Sequence, residues 1–229
     1  MGKYIESMAE WRAMRREDLD LPQYSLGEEI VNAITHGVGT GLAIAGLVVL
    51  LVMGRPDPLT RVSASIFGSG MILFYLVSTL YHALAVNQGK KVFHILDHCT
   101  VFLLIAATYT PITLLSFRGV IGWTLFGVAW GVAALGIVLT AVNLRRFRVF
   151  TIVCYLALGW VVIFFFKLLL DNLDFTSVVL LLSGGAVYTL GAIVYWLGQK
   201  HKYLHSLWHL FVLAGTILHY FVIYRIVIA

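Results

Sequence analysis

Residues 94–116 read HILDHCTVFLLIAATYTPITLLS, and Asp97 is the one residue in this stretch that carries a formal charge. A helix needs about 20 consecutive apolar residues to cross the hydrocarbon core of a bilayer, whereas a barrel strand needs only about 10. The stretch is therefore long enough for a membrane helix and too long for a barrel strand. It predicts an all-α fold that spans the membrane.

The composition of the whole chain agrees with this prediction. Of its 229 residues, 60% are hydrophobic and 12% are charged, whereas soluble domains have about 25% charged residues. This composition excludes a water-soluble globular protein, because the exterior of such a protein must be polar. The two cysteines, Cys99 and Cys154, both lie in apolar runs, which argues against a disulfide framework.

The same pattern of apolar residues recurs along the chain and predicts a seven-helix bundle with antiparallel neighbours. We expect the spans at 30–52, 62–84, 94–116, 121–142, 149–170, 177–198 and 205–227. Residues 26–229 then form one membrane domain, and residues 1–25 form a cytoplasmic tail that is amphipathic or disordered. Ser25 and Glu28 have the spacing of a capping box, which predicts that the first helix begins near Leu26.

The basic residues predict the orientation of this bundle. With seven spans, eleven Lys and Arg residues fall on the side of the N-terminus and five fall on or near the other side. The positive-inside rule then predicts a cytoplasmic N-terminus and an external C-terminus in the inner (plasma) membrane. Because the basic residues are scattered among short loops, we expect membrane lipids and no nucleic acid as partners; the oligomeric state stays open.

The polar residues of the spans are concentrated in the predicted cytoplasmic half. Seven of the eight histidines lie there, and His219 is the exception. Asp97 is interpreted as the one acid that opens a membrane helix without a loop or helix-end explanation. Ionisable residues at membrane depth are costly and usually functional, so this half of the bundle is the predicted site.

The spacing of the histidines indicates a metal site. His205 and His209 are four residues apart and share one helix face, as zinc ligands often do, and His82 ends the second span at the same depth. Three neutral imidazoles leave Zn²⁺ an open fourth position, which is typical of hydrolytic zinc. His94 and His98 have the same spacing and are alternative ligands, and ordinary interfacial histidines also occur at helix ends.

Asp97 and Ser78 are the predicted catalytic residues beside this metal. The protease motif His-Glu-x-x-His is absent because Ser206 follows His205, so Asp97 is the best-placed carboxylate to accept a proton from water. It is equally suited to orienting that water. Ser78 lies one helical turn before His82 and is suited to steadying an oxyanion.

Five motifs carry a resemblance to a known family: EEIVNAITHGVG, STLYH, HILDHCTVFLLIAATYTP, YLALGW and HSLWHLFVLAGTILHYF. They resemble, in the same order, the motifs of the bacterial hemolysin III family, which is grouped with the progestin and adiponectin Q receptors and more distantly with alkaline ceramidases. The resemblance covers about residues 26–229.

This resemblance implies a seven-helix bundle with a cytoplasmic N-terminus and a zinc ion near the cytoplasmic face. It implies zinc ligation by the three histidines at 82, 205 and 209, with Asp97 holding the zinc-bound water and Ser78 in the matching serine position. His94 and His98 then take supporting or structural roles. Glu28, Asn32 and His36 match the motif of the first helix, but no role follows for them.

Three hypotheses about function follow. The first is a zinc-dependent hydrolase of a membrane lipid amide or ester, like the ceramidases. The second is a non-enzymatic protein that senses or adjusts the state of the membrane, with a structural zinc. The third, a pore-forming cytolysin, is disfavoured because so apolar a chain has no water-soluble state. We expect a zinc-binding membrane protein of lipid homeostasis and leave catalysis undecided.

Overall fold

The fold is helical throughout the part of the chain that the structure describes. The computed structural model of the protein describes residues 15–117, 119–197 and 201–229, and all regular secondary structure in these ranges is helical. Six helical segments are long and apolar enough to cross a membrane. These findings confirm the all-α prediction. The predicted tail before Arg15, and the basic residues Arg118 and Lys200, lie outside the described residues.

The helices follow one another with short connections. A 3₁₀ turn (Glu17–Leu19) precedes the first helix, a π-helix (Ile112–Ser116) continues the third, and a 3₁₀ segment (Val161–Phe165) joins the fourth to the fifth. The α-helices are α1 (Leu26–Met53), α2 (Pro58–Ala83), α3 (Gln88–Pro111), α4 (Gly119–Trp160), α5 (Phe166–Asn172), α6 (Phe175–Leu197) and α7 (Leu204–Ile228).

Side-chain caps fix the starting points of the first three helices. Ser25 and Glu28 form the predicted capping box, in which the Ser25 amide donates to Glu28 Oε2 at 2.9 Å. Asp57 caps α2 and Asn87 caps α3, each by accepting a hydrogen bond from a first-turn amide. These caps set the register of the helices that carry most of the site residues.

Helix α4 contains one non-helical residue, at which the chain reverses direction. Asn143 has φ −159° and ψ 86°, and its side chain accepts the amide of Arg146 at 2.9 Å, as an N-cap does. Phe102 of α3 packs against both Gly136 and Tyr155. The segments 119–142 and 144–160 therefore lie side by side along α3.

The packing places large apolar side chains on both the inside and the outside of the bundle. Phe67, Phe74 and Tyr75 of α2 are almost completely buried between neighbouring helices, and Gly39 of α1 lets the Tyr75 ring approach its backbone. On the outside, Val120 and Phe164 are 84% and 85% exposed. Such an apolar exterior suits contact with lipid, so the chain is a multi-pass integral membrane protein.

Candidate metal centre

Three buried histidines from α2 and α7 come together at one end of the bundle. His82 lies in the last turn of α2, and His205 and His209 lie on one face of the first turns of α7. One ring nitrogen of each lies within 4.8 Å of those of the other two. The arrangement that the sequence predicts for these residues is therefore present, and it could hold a metal ion.

The spacing of the His205 and His209 nitrogens fits a tetrahedral ion. The Nε2 atoms of His205 and His209 are 3.2 Å apart, and two nitrogen ligands at 2.0–2.1 Å from a tetrahedral Zn²⁺ would be about 3.3 Å apart. His82 Nε2 is buried and has no hydrogen-bond partner among the described residues. A buried imidazole nitrogen without a partner is costly, and a metal ion would supply the missing partner. Imidazole suits several transition metals, including zinc.

The carboxylate of Glu29 determines which ring nitrogen of His82 carries the proton. Glu29 Oε2 is 2.6 Å from His82 Nδ1, and Glu29 Oε1 contacts Lys90 Nζ at 3.0 Å and the Arg16 guanidinium. A carboxylate between two cations is ionised and can only accept hydrogen bonds. The proton of the neutral His82 ring therefore lies on Nδ1, which leaves the lone pair of Nε2 for a metal.

Thr35 likewise places the proton of the His209 ring on Nδ1. The Thr35 hydroxyl lies 2.9 and 3.0 Å from the backbone oxygens of Val31 and Asn32 and donates its single proton to them. It can therefore only accept from His209 Nδ1, which lies 3.4 Å away. The Nε2 atom of His209 is left free for a metal. The Tyr24 ring stacks on His205 at a centroid distance of 4.8 Å and covers the third ring.

Arg16, Glu29 and Lys90 were not among the predicted site residues: Arg16 lies in the predicted tail, Glu29 directly precedes the first predicted span, and Lys90 lies between the second and third. Glu29 is 5% exposed and Lys90 is 0% exposed, and Lys90 Nζ also donates to the carbonyl of Tyr81. Asp97 is therefore not the only buried acid of the bundle, because Glu28 and Glu29 in the first turn of α1 are buried as well. A signal was available, because Glu29, Asn32 and His36 share one face of a mostly apolar helix.

The predicted catalytic residues lie near the three histidines, and their roles stay predictions. Ser78 is fully buried one turn before His82, and its Oγ has no hydrogen-bond partner within the described part of the chain. Asp97 is 5% exposed on α3 and lines the same cavities as His205. The structure thus places Asp97 on the walls of both cavities that His205 lines, and Ser78 one helical turn from His82.

The other polar residues of the first-helix motif support the centre through packing and hydrogen bonds. His36 is fully buried and stacks on His209 at a centroid distance of 3.7 Å. Asn32 Oδ1 accepts from the Ser206 hydroxyl at 2.6 Å and joins α1 to α7. Glu28 accepts the amide of Tyr203 at 2.9 Å, just before α7 begins.

His94 and His98 do not belong to the group of three. Their rings contact each other edge to face at a centroid distance of 4.9 Å. His98 Nδ1 lies 3.0 Å from the His94 carbonyl, to which it donates. The remaining nitrogen, Nε2, faces the Tyr195 hydroxyl at 3.5 Å. Their four-residue spacing therefore serves contacts within α3 and with α6.

Two cavities of different character meet beside His205. One, of about 180 Å³, is lined mainly by apolar side chains of α3, α4, α6 and α7. The other, of about 760 Å³, is polar and lies between the segment before α1, the start of α3, the Asn143 reversal and the start of α7. The residues that line both cavities are Asp97, His98, Arg148, Tyr195 and His205.

Known proteins resemble this chain over most of its length. Residues 24–220 match the family model described as Haemolysin-III related. The chain is 41% identical over 196 residues to Hemolysin-3 of Bacillus cereus, covering 85% of this chain and 89% of that protein. It is 38% identical over 195 residues to the Hemolysin-3 homolog of Bacillus subtilis (strain 168), covering 84% and 91%.

A more distant relative comes from an animal. The monocyte to macrophage differentiation factor of Homo sapiens is 26% identical over 204 residues, which cover 86% of this chain and 84% of that protein. All three alignments cover most of both chains, so the similarity concerns the whole bundle and not one motif. With the family model matching from just before α1 into the last helix, this chain belongs to the hemolysin III family.

Proposed function

We propose that this protein binds Zn²⁺ through His82, His205 and His209 and hydrolyses a membrane lipid amide or ester, as part of membrane lipid homeostasis. The observation that carries the proposal is the position of His205, which belongs to the group of three histidines and lines both an apolar and a polar cavity. An amphiphilic substrate would place its carbonyl group at this junction.

The apolar cavity has the form that an acyl chain requires. Its lining includes both His205 and His219 of α7, which are 14 positions apart and so about 21 Å apart along the helix. This distance is about two thirds of the 30 Å hydrocarbon core of a bilayer. A single acyl chain could lie in this cavity with its carbonyl group beside His205.

The metal ion, Asp97 and Ser78 each have a separate role in the proposed hydrolysis. When bound, Zn²⁺ supplies Lewis-acid polarisation of the carbonyl group and makes water acidic enough to act as a nucleophile near neutral pH. Asp97 accepts a proton from the attacking water as the water oxygen bonds to the carbonyl carbon. It returns this proton to the leaving nitrogen or oxygen as the bond between that atom and the carbonyl carbon breaks. The Ser78 hydroxyl, which has a free proton to donate, steadies the oxyanion.

The substitution Asp97→Ala tests this division of roles. Removing a general base typically costs about 10²–10⁴-fold in rate, so we expect hydrolysis to fall by that factor while the zinc content stays at the wild-type level. The assay uses purified protein with ceramide, lysophosphatidate, N-oleoyl glycine and monooleoylglycerol, and zinc is measured by mass spectrometry. Asp171→Ala, at an exposed acid, is the control. Absence of hydrolysis of every lipid by zinc-loaded wild type would contradict the proposal.

One observation favours a non-enzymatic alternative. The histidines come from α2 and α7, and the Glu29 that supports His82 comes from α1, so a metal ion would connect three helices. If the protein senses the state of the membrane and its zinc is structural, we expect His205→Ala to lower the thermal stability of the protein. We expect Asp97→Ala to leave the sensing function intact. The Asp97→Ala assay therefore separates the two functions.

We also propose a topology of seven spans with a cytoplasmic N-terminus. The segment Gly119–Asn172 has 54 residues and as one straight helix would be about 81 Å long, far more than the 30 Å core. The reversal at Asn143 supports two crossings, which place residue 145 inside and residue 171 outside.

Cysteine labelling tests this topology. In a chain with Cys99→Ala and Cys154→Ala, we expect Asp171→Cys to react with an impermeant maleimide in intact cells, because residue 171 is exposed near the end of α5, which the proposed topology places outside. Arg145→Cys should react only after the membrane is permeabilised, because it lies at the Asn143 reversal. Labelling of Asp171→Cys only in permeabilised cells would indicate six spans and overturn this topology.

A further inference from the structure

Arg148 lies on the wall of both cavities, where they meet. Its guanidinium group lies over the Tyr195 ring, 5.8 Å from the centroid, and its Nη2 is 3.5 Å from the Tyr195 hydroxyl. Within residues 15–117, 119–197 and 201–229, no carboxylate forms an ion pair with it. Tyr195 thus orients the guanidinium group, which keeps most of its hydrogen-bond donors available at the junction.

None of the described acids that line the polar cavity forms an ion pair with the Arg148 guanidinium group. Its basic side chains are Lys91, Arg145, Arg148 and Lys202, and its acids are Asp20, Glu28 and Asp97. Asp20 already pairs with Arg145 at 3.6 Å, and Glu28 accepts the amides of Ser25 and Tyr203. The remaining acid is Asp97, which the proposed mechanism uses for proton transfer.

We propose that Arg148 and the polar cavity bind an anionic headgroup, phosphate or carboxylate, of a single-chain lipid whose acyl chain occupies the apolar cavity. The planar guanidinium group can donate two parallel hydrogen bonds to either anion. Lys91 and Lys202 line the same cavity and add positive charge around it. The inference rests on the proposed function only for the position of the carbonyl group. It predicts that the substrate is a lipid with a charged headgroup.

A pair of lipids that differ only in charge tests this inference by binding, without turnover. Oleoyl lysophosphatidate and monooleoylglycerol share the acyl chain, ester and glycerol. We expect purified wild type in nanodiscs of zwitterionic lipid to bind the lysophosphatidate at least tenfold more tightly. Arg148→Gln should remove this preference and leave the affinity for monooleoylglycerol unchanged, whereas Arg148→Lys, which keeps the charge, should retain most of it.

The matched control is Arg146→Gln, which makes the same change on the same segment at a residue that lines neither cavity. It should preserve the preference. Equal binding of the two lipids by wild type, or an unchanged preference in Arg148→Gln, would overturn the inference. Displacement of the lysophosphatidate by equimolar inorganic phosphate would also overturn it, because free phosphate would then be the ligand.

The same lipids are followed for hydrolysis, so the two proposals can fail separately. A charge preference without hydrolysis supports the headgroup site and contradicts the hydrolase. Hydrolysis without a charge preference supports the hydrolase and contradicts the headgroup site.

Discussion

Replacement of His209 by alanine is expected to lower the zinc affinity of the purified protein by at least about 100-fold. The reason is that His209 offers one of only three nitrogen atoms in the group, and two ligands cannot hold a tetrahedral ion as three do. His209 is fully buried beneath His36, so no solvent-exposed side chain can readily take its place. Mass spectrometry of the metal content after gel filtration measures the effect.

His219→Ala is the matched control for this substitution. His219 lies on the same helix, at a different depth from the three histidines. Its Nε2 lies 3.1 Å from the carbonyl of Leu181. We expect this variant to keep one zinc per chain. Retention of one zinc per chain by His209→Ala would show that the ion is held elsewhere.

Glu29→Gln is expected to weaken both metal binding and folding, although it preserves the volume of the side chain. His82 loses a charged acceptor 2.6 Å from its Nδ1, and loss of such an outer partner typically costs 10–100-fold in metal affinity. Arg16 and Lys90 lose the carboxylate that they share. Breaking a buried ion pair in this way costs about 3–5 kcal/mol in the free energy of unfolding.

Competition with a zinc chelator measures the first effect, and thermal unfolding of the detergent-solubilised protein measures the second. Glu28→Gln is the control, because Glu28 is the buried neighbour that caps α1 and accepts the amide of Tyr203. We expect it to leave zinc affinity unchanged. Equal zinc affinities in Glu29→Gln and Glu28→Gln would refute the assignment of Glu29 as the residue that orients His82.

Much of the fold follows from the sequence because helices in lipid must be both long and apolar. The predicted span 205–227 agrees with α7 (Leu204–Ile228), and the predicted capping box begins α1 at Leu26. The break predicted at residues 143–148 is much shorter in the structure, because Asn143 alone leaves the helical conformation. One residue with a capping side chain is enough for the reversal, and hydropathy does not resolve a turn of that length.

The histidines of the site were predictable, and the ion pairs that support them were not. Four-residue spacing places His205 and His209 on one face, and the depth of His82 places it opposite them. Glu29 and Lys90 lie near helix ends, where sequence alone favours solvent contact. In the structure they neutralise each other at 3.0 Å, and a pairing between α1 and α3 has no local signature in the chain.

The most direct test of the zinc centre is X-ray absorption at the zinc edge of the purified wild-type protein. We expect one zinc per chain, with imidazole scattering from three ligands at about 2.0–2.1 Å and one further light atom at a similar distance. In the variant with alanine at positions 82, 205 and 209, this signal should disappear. Sulfur ligands, or a zinc signal that persists in the triple variant, would contradict the assignment of the three histidines.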